Sequence, residues 1–411
     1  MSRKIKNFIE NCFIKKAVLL VTILLLSLYL IPLTSCCVDL SKYLKPLEKE
    51  KEYSINDSSE DFSKEELEKL LEEFTNPQQN QQDTPDYSTV KKELSNSLNY
   101  EVSEVEEEEF FKRLKEIYES RYYENAASFI NELKLLYPKG YFTIIKVSSE
   151  DSFDWFTTIY NNTEDDLKDI LGSDFNSNYA TDISTIIHED IHGGSGFTPK
   201  NLFKIEKSGY IYLIDYLGVF IDKERMLFPK TEIYQDIENP DRFDTTYLDP
   251  NEKFNSNGTE IGHGNIDIVI ILDELNAYTI SVETAIALEK FYKTNSFHDV
   301  RYGLLKQMSH LQLYLIRCKK KHPDDWEYII GHKGFAFLIL KLWQRAERFE
   351  KIVKNDFRFN LNADAVEEAV YSSKNYSIIE EFYNNSNIKE YEDLSFEEED
   401  FSDMEIFKVK S

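Results

Sequence analysis

"STIIHEDIHGGSGF", Ser184 to Phe197, holds two of the chain's seven histidines, His188 and His192, four positions apart, with Glu189 directly after the first. At this composition a chance His-Glu-x-x-His is roughly a 1% event in a chain of this length, so the spacing invites a chemical explanation. On an α-helix, positions i and i+4 share one face, with Cβ atoms about 5–6 Å apart. Two imidazoles placed so reach a single ion. Zinc takes N, O and S ligands tetrahedrally, and a catalytic zinc keeps one position for water, whose pKa it lowers towards about 7. Glu189 lies about 100° round the helix from His188, where it reaches that water rather than the ion and serves as a general base. The motif helix is expected over about Ser177 to His192, stopped by Gly193 and Gly194.

A third ligand has to come from elsewhere, and "IDIVIILDELNAYTISVETAIALEKF", Ile266 to Phe291, is the best source. It reads as a long apolar helix interrupted by Asp273-Glu274. Glu274 shares a face with Ile270, Ile271, Ala277, Tyr278 and Ala285. A carboxylate there is costly to bury unless it is paired or bound to metal; the other reading is a salt bridge at the helix surface. Tyr278, one turn on, is placed either to hydrogen-bond an oxyanion or to fill the core.

This pattern resembles the zincin metallopeptidases, and among them the gluzincins. In those, His-Glu-x-x-His supplies two ligands and the base, and a glutamate on a later helix supplies the third ligand. The resemblance implies a Zn²⁺ site with His188 and His192 as ligands, Glu189 as base and Glu274 as third ligand, the last matched by type and context. It covers about residues 176 to 290. Two positions depart from the family's habit: Asp190, on the face expected to pack inward, and Gly193-Gly194.

Outward from the motif, "YFTIIKV", Tyr141 to Val147, is β-branched and aromatic and reads as a strand, which would suit the sheet preceding the active-site helix in that family. Upstream, helices are expected from Glu104, with Phe110, Leu114, Ile117 and Tyr118 on one face, and over about 124–136; short ones follow near 151–160 and 163–171. Two or three short strands are expected in "YIYLIDYLGVFIDKERMLF", Tyr210 to Phe228, then a long polar loop over 229–265. Helices are expected over roughly 266–293, 299–319, 324–353 and 363–372. Leu338, Leu342, Trp343 and Phe349 pattern as core. His263, between glycines, reads either as a further ligand or transition-state donor or as a loop histidine with no role; His298, His310, His322 and His332 show no metal spacing, and His310 reads as a surface residue on a helix flank. Aromatics are abundant, with 26 Tyr and 28 Phe, so material for a core is ample.

At the N-terminus, Arg3, Lys4, Lys6, Lys15 and Lys16 precede the uncharged run Ala17 to Leu33, a pattern of export. Leu33-Thr34-Ser35-Cys36 resembles the lipobox of bacterial lipoproteins, which implies cleavage before Cys36 and a diacylglyceryl group on its sulfur; an uncleaved membrane anchor is the alternative. Cys12, Cys37 and Cys318 are too few for a disulfide framework. Residues after Cys36 are polar and proline-bearing and read as a tether. The net charge of −27 argues against nucleic acid, whose phosphates need a basic face.

The expectation is therefore an α+β, mostly helical chain: a zincin-like domain with a small sheet and an active-site helix, followed by a helical C-terminal part. The segments are a lipoprotein signal peptide (1–35), a disordered acidic tether (36–100), the metallopeptidase domain (101–375) and an acidic tail (376–411). The expected function is zinc-dependent peptide hydrolysis at the bacterial cell envelope, lipid-anchored to the membrane, on a peptide or protein substrate, possibly basic. A non-catalytic surface lipoprotein with a degenerate or structural metal site is the alternative.

Overall fold

The structure, a computed structural model, describes residues 85–96, 102–117, 120–147, 177–197, 209–214, 217–221, 225–249, 266–291, 298–359, 363–386, 388 and 404–408. All belong to the unit Gln78–Ser411. The elements are α1 (Ser88–Ser95), α2 (Glu104–Ile117), α3 (Ser120–Leu136), α4 (Pro138–Val147), α5 (Ser177–Gly194), β1 (Gly196–Phe197), β2 (Tyr210–Ile214) and β3 (Leu217–Ile221). A 3₁₀ turn at Lys230–Asp236 leads to α6 (Arg242–Leu248) and α7 (Ile268–Ala287). Then come α8 (His298–Lys321), α9 (Pro323–Gly331), α10 (Lys333–Val353), α11 (Asp364–Val370), α12 (Ser373–Asn385) and β4 (Met404–Lys408). The fold is mostly helical with a small antiparallel sheet in the order β1-β2-β3-β4.

The centre is α7. All its residues but Tyr278 are buried, as expected of a helix that is apolar nearly all round. Asp267 caps its N-terminus by accepting from Val269 N–H, and also accepts from Leu227 N–H at 2.7 Å. Most polar residues inside the helix have hydrogen-bond partners. Thr279, Ser281 and Thr284 donate their hydroxyls to the carbonyls four residues back. Asn276 donates to Leu213 O at 2.8 Å and accepts from Arg345. Glu283 accepts from Tyr137 Oη at 2.7 Å, Lys139 Nζ at 3.0 Å and Arg345 at 2.9 Å, joining α7 to α4 and α10. Burial without such partners would cost far more than the bonds contribute.

Helix α5 packs between α7 and α4 through Ile183, Ile187 and Ile191, a stripe at four-residue spacing. Two glycines permit close approach: a Cβ on Gly140 would lie 2.4 Å from Tyr137 Cδ1 and 2.8 Å from Ile187 Cδ1, and one on Gly194 would lie 2.8 Å from Leu213 Cδ2. The helix thus runs through Gly193-Gly194 and ends at Ser195, whose Oγ accepts from Leu213 N–H at 3.0 Å. Gly196 follows with φ +127°, a conformation that suits glycine.

Several expectations are corrected. Tyr141–Val147 is helix, not strand: it is buried on all sides, and a helix satisfies its own backbone groups where no neighbouring strand is available. Pro138 ends α3 and opens α4, at the position where its missing N–H is harmless. The 229–265 segment is not loop throughout, since the 3₁₀ turn and α6 lie in it, the latter opened by a reciprocal Asp241–Asp244 capping box. The helix expected over 324–353 divides at His332, whose Nδ1 accepts from Phe335 N–H and starts α10. His310 is buried, with Nε2 2.8 Å from Asp244 Oδ1, because α6 covers that flank of α8. Both segments drawn outside the domain contribute to it. Tyr87, at the end of the expected tether, is buried and donates to Asp356; in the expected tail, α12 is packed and β4 pairs with β3. The signal peptide, the helix expected after Ser63, the short helices at 151–171 and His263 lie outside the described residues. No helix among the described residues is long and apolar enough to cross a membrane.

The Glu283 hub supplies a test of this packing. Glu283→Ala strands Lys139 and Arg345 in the interior, and a loss of about 3–5 kcal/mol is expected in urea denaturation. A change under about 1 kcal/mol would show that the hub does not hold the helices together.

Candidate metal centre

His188 and His192 project from α5 towards Glu274 on α7. Their Nε2 atoms are 3.2 Å apart, and Glu274 Oε2 lies 4.0 Å from the first and 3.6 Å from the second. A point equidistant from the three atoms is about 2.1 Å from each, the length of a zinc bond to imidazole or carboxylate. Among the described residues, Glu274 Oε2 is buried and makes no hydrogen bond, with the two rings just beyond hydrogen-bonding length. Among the described residues this is the one group of three ligating side chains so arranged.

The tautomers follow from the second nitrogens. His192 Nδ1 lies 2.8 Å from Asp273 Oδ2, so Nδ1–H donates to that carboxylate. His188 Nδ1 lies 3.0 Å from Ser281 Oγ, and the Ser281 hydroxyl already donates to Ala277 O, so Oγ accepts from the ring. Both imidazoles therefore carry a proton on Nδ1 and present Nε2 to the centre. A carboxylate or hydroxyl behind each ligating histidine is the usual device for fixing ring orientation and basicity.

Without metal, the pair holds one extra proton. Burial and the adjacent His192 push the His188 ring down to about 3. Burial works against a charged His192 too, but the Asp273 and Glu274 carboxylates outweigh it and raise the ring well above its ordinary value. Glu274, despite burial, is held down to about 2, chiefly by His192 and with help from His188 and Lys230. One positive charge, on His192, thus sits between the Asp273 and Glu274 carboxylates.

Glu189 is half-buried on the next position of α5. Burial raises its pKa, Glu274 and Asp273 add to the rise, and His192 opposes it. Tyr278 packs its ring edge-on to His188 at 4.8 Å. Gly303 on α8 makes the space, since a Cβ there would fall 2.0 Å from Tyr278 Cε1. The Tyr278 hydroxyl is 3.1 Å from that of Tyr247 on α6. Asp190, next to Glu189, is buried away from the ligands' face.

Of the residues singled out in the sequence, the structure brings His188, His192 and Glu274 together, with Glu189 and Tyr278 beside them; Cys36 lies outside the described residues. Sequence reasoning missed the supporting roles of Asp273, Ser281, Tyr247 and Gly303. Asp273 had a signal, as an acid next to the candidate ligand in a helix too apolar to carry idle charge. Ser281, seven positions after Glu274, shares its face. Nothing in the sequence marked Tyr247. No known family, curated protein or solved structure matches this chain.

Two outcomes are expected of zinc titration into metal-free protein. A divalent ion must displace the extra proton, and His192 titrates above its ordinary value, so affinity should fall about tenfold per pH unit below that pKa, with one proton released. Calorimetry in buffers of different ionisation enthalpy reads this directly; pH-independent affinity would refute it. Asp273→Asn, which weakens the support behind His192, should lower zinc affinity about 10–100-fold.

Proposed function

We propose that the chain is a membrane-anchored, extracytoplasmic zinc metallopeptidase of zincin type. The observation that carries this reading is the triangle of His188 Nε2, His192 Nε2 and Glu274 Oε2, whose centre is one zinc-bond length from each corner. Two ligands and a base on one helix, with a carboxylate from a later buried helix, form the donor set of metal-assisted hydrolysis.

Zinc held there would supply Lewis acidity towards water and the peptide carbonyl. The protein's own groups do the rest. Glu189 takes a proton from the attacking water; its raised pKa means that it holds the proton more firmly than an ordinary glutamate and can return it to the leaving amine. Asp273 and Ser281 keep both rings oriented through the cycle. Tyr278, braced by His188, Gly303 and Tyr247, presents a hydroxyl beside the ligands, suited to stabilise charge developing on the carbonyl oxygen.

Glu189→Gln should retain zinc while kcat on an unstructured protein substrate falls at least about 10²-fold. His188→Ala/His192→Ala should lose both zinc and activity. Hydrolysis undiminished in Glu189→Gln would remove the mechanism, and zinc bound without hydrolysis in the parent would leave a structural metal.

The anchor follows from the lipobox-like Leu33-Thr34-Ser35-Cys36. Cys36 is proposed to carry the lipid, and the acidic stretch after it to space the catalytic unit from the surface. Cys36→Ser should abolish incorporation of labelled fatty acid; a parent chain that takes up no label and yet stays in the membrane fraction would point to an uncleaved anchor.

A further inference from the structure

Three lysines are buried among the described residues: Lys139, Lys146 and Lys230. Two have a carboxylate of their own, Lys139 with Glu283 and Lys146 with Glu106. Lys230, only 2% exposed, makes no ion pair and no side-chain hydrogen bond with any described residue. A lysine side chain buried without an ion pair of its own is a costly choice in a chain with 75 acidic residues to offer as partners.

Its position is fixed. Pro229 precedes it, and its backbone N–H donates to Ile266 O at 3.0 Å, next to the Asp267 cap that opens α7. Its Nζ reaches 5.9 Å from the centre of the Tyr247 ring, whose hydroxyl meets that of Tyr278. The charge is felt at Glu274, the candidate third ligand. Burial lowers the Lys230 pKa to about 8 against the pull of Glu274, so the amine is still mostly charged at neutral pH. Phe243 packs on Tyr247 at 4.5 Å and near Tyr278 at 5.7 Å, adding an aromatic wall on that side.

We infer that Lys230 is the specificity-determining residue of this site: it receives a carboxylate of the bound peptide, which gives the ammonium the short-range ion pair that no described residue makes with it. The inference rests on the peptide-binding reading of the metal centre and narrows it. A peptide lying across the ligands would set its carboxylate against Lys230 and an adjacent aromatic side chain against Phe243 and Tyr247. The carboxylate would be either the C-terminal one or that of an acidic side chain. The overall negative charge suggests a basic substrate; the local cation selects a peptide with an acidic group at one defined place.

The test is calorimetric binding to zinc-loaded protein bearing Glu189→Gln, which prevents turnover. The probes are N-acetyl-Gly-Gly-Phe as free acid, the same peptide as its amide, and N-acetyl-Gly-Glu-Phe amide. At least one carboxylate-bearing probe is expected to bind about tenfold more tightly than the plain amide. Preference for the free acid assigns the C-terminus, and preference for the Glu peptide assigns a side chain. Adding Lys230→Met should erase the difference. It should also raise Tm by about 2–4 °C, because an unmatched buried charge is replaced by an apolar group of similar length. Equal binding of all three probes, a preference that survives Lys230→Met, or a Tm lowered by the substitution would each overturn the inference. Hydrolysis by the parent enzyme with no carboxylate preference would leave the peptidase standing and remove Lys230's role. Carboxylate preference without hydrolysis would do the reverse.

Discussion

Asp273 and Glu274 are adjacent carboxylates in the most thoroughly buried helix of the protein, and what offsets their burial governs the rest of the structure. Two negative groups in that setting require positive or donor partners at short range. The partners are the two imidazoles of α5: His192 donates to Asp273, and both rings face Glu274. This requirement fixes how α5 and α7 cross. The crossing in turn fixes the close contacts around it, with Gly194 beneath Leu213 on β2 and Gly140 beside Tyr137 and Ile187. The small sheet is tied to the end of the motif helix through Ser195 and Leu213, so the candidate site and the fold are one packing problem.

The layer behind the ligands matters as much as the ligands. Ser281 can accept from His188 only because its own proton is committed to Ala277 O one helical turn earlier. Asp273 can support His192 only because it lies one residue from Glu274, on the neighbouring face of the same helix. Tyr278 stands where it does because α8 has a glycine at position 303. Each of these is a small residue or a one-residue offset, and together they position two rings and a carboxylate around one point.

Charge is handled differently at the site and away from it. Glu283 with Lys139 and Arg345, and Arg301 with Glu350 and Glu367, are buried groups with opposite charges matched internally. Around the candidate ligands, Glu274 Oε2 makes no hydrogen bond and Lys230 no ion pair among the described residues. Under the proposed function these two groups would meet a cation and a substrate carboxylate.

The motif helix, the apolar helix of Glu274 and the mostly helical character were legible in the sequence, because i, i+4 spacing and long apolar periodicity act through local geometry that no partner alters. The same local reasoning failed at Tyr141–Val147, where β-branched composition suggested a strand and full burial without a neighbouring strand made a helix. It failed at His310, which reads as surface until α6 covers it, and at α6 itself, which lies in a stretch too polar to announce a helix except through Asp241 and Asp244. The sequence by itself determined which side chains are capable of ligation and which helices carry them. Only the tertiary structure decided that Glu274 rather than another acid meets the two rings, that Asp273 and Ser281 set their tautomers, and that Lys230 makes no ion pair with any described residue. Those are distances between segments some forty to ninety positions apart, settled by how buried charge is neutralised when helices pack and not by any local preference of the chain.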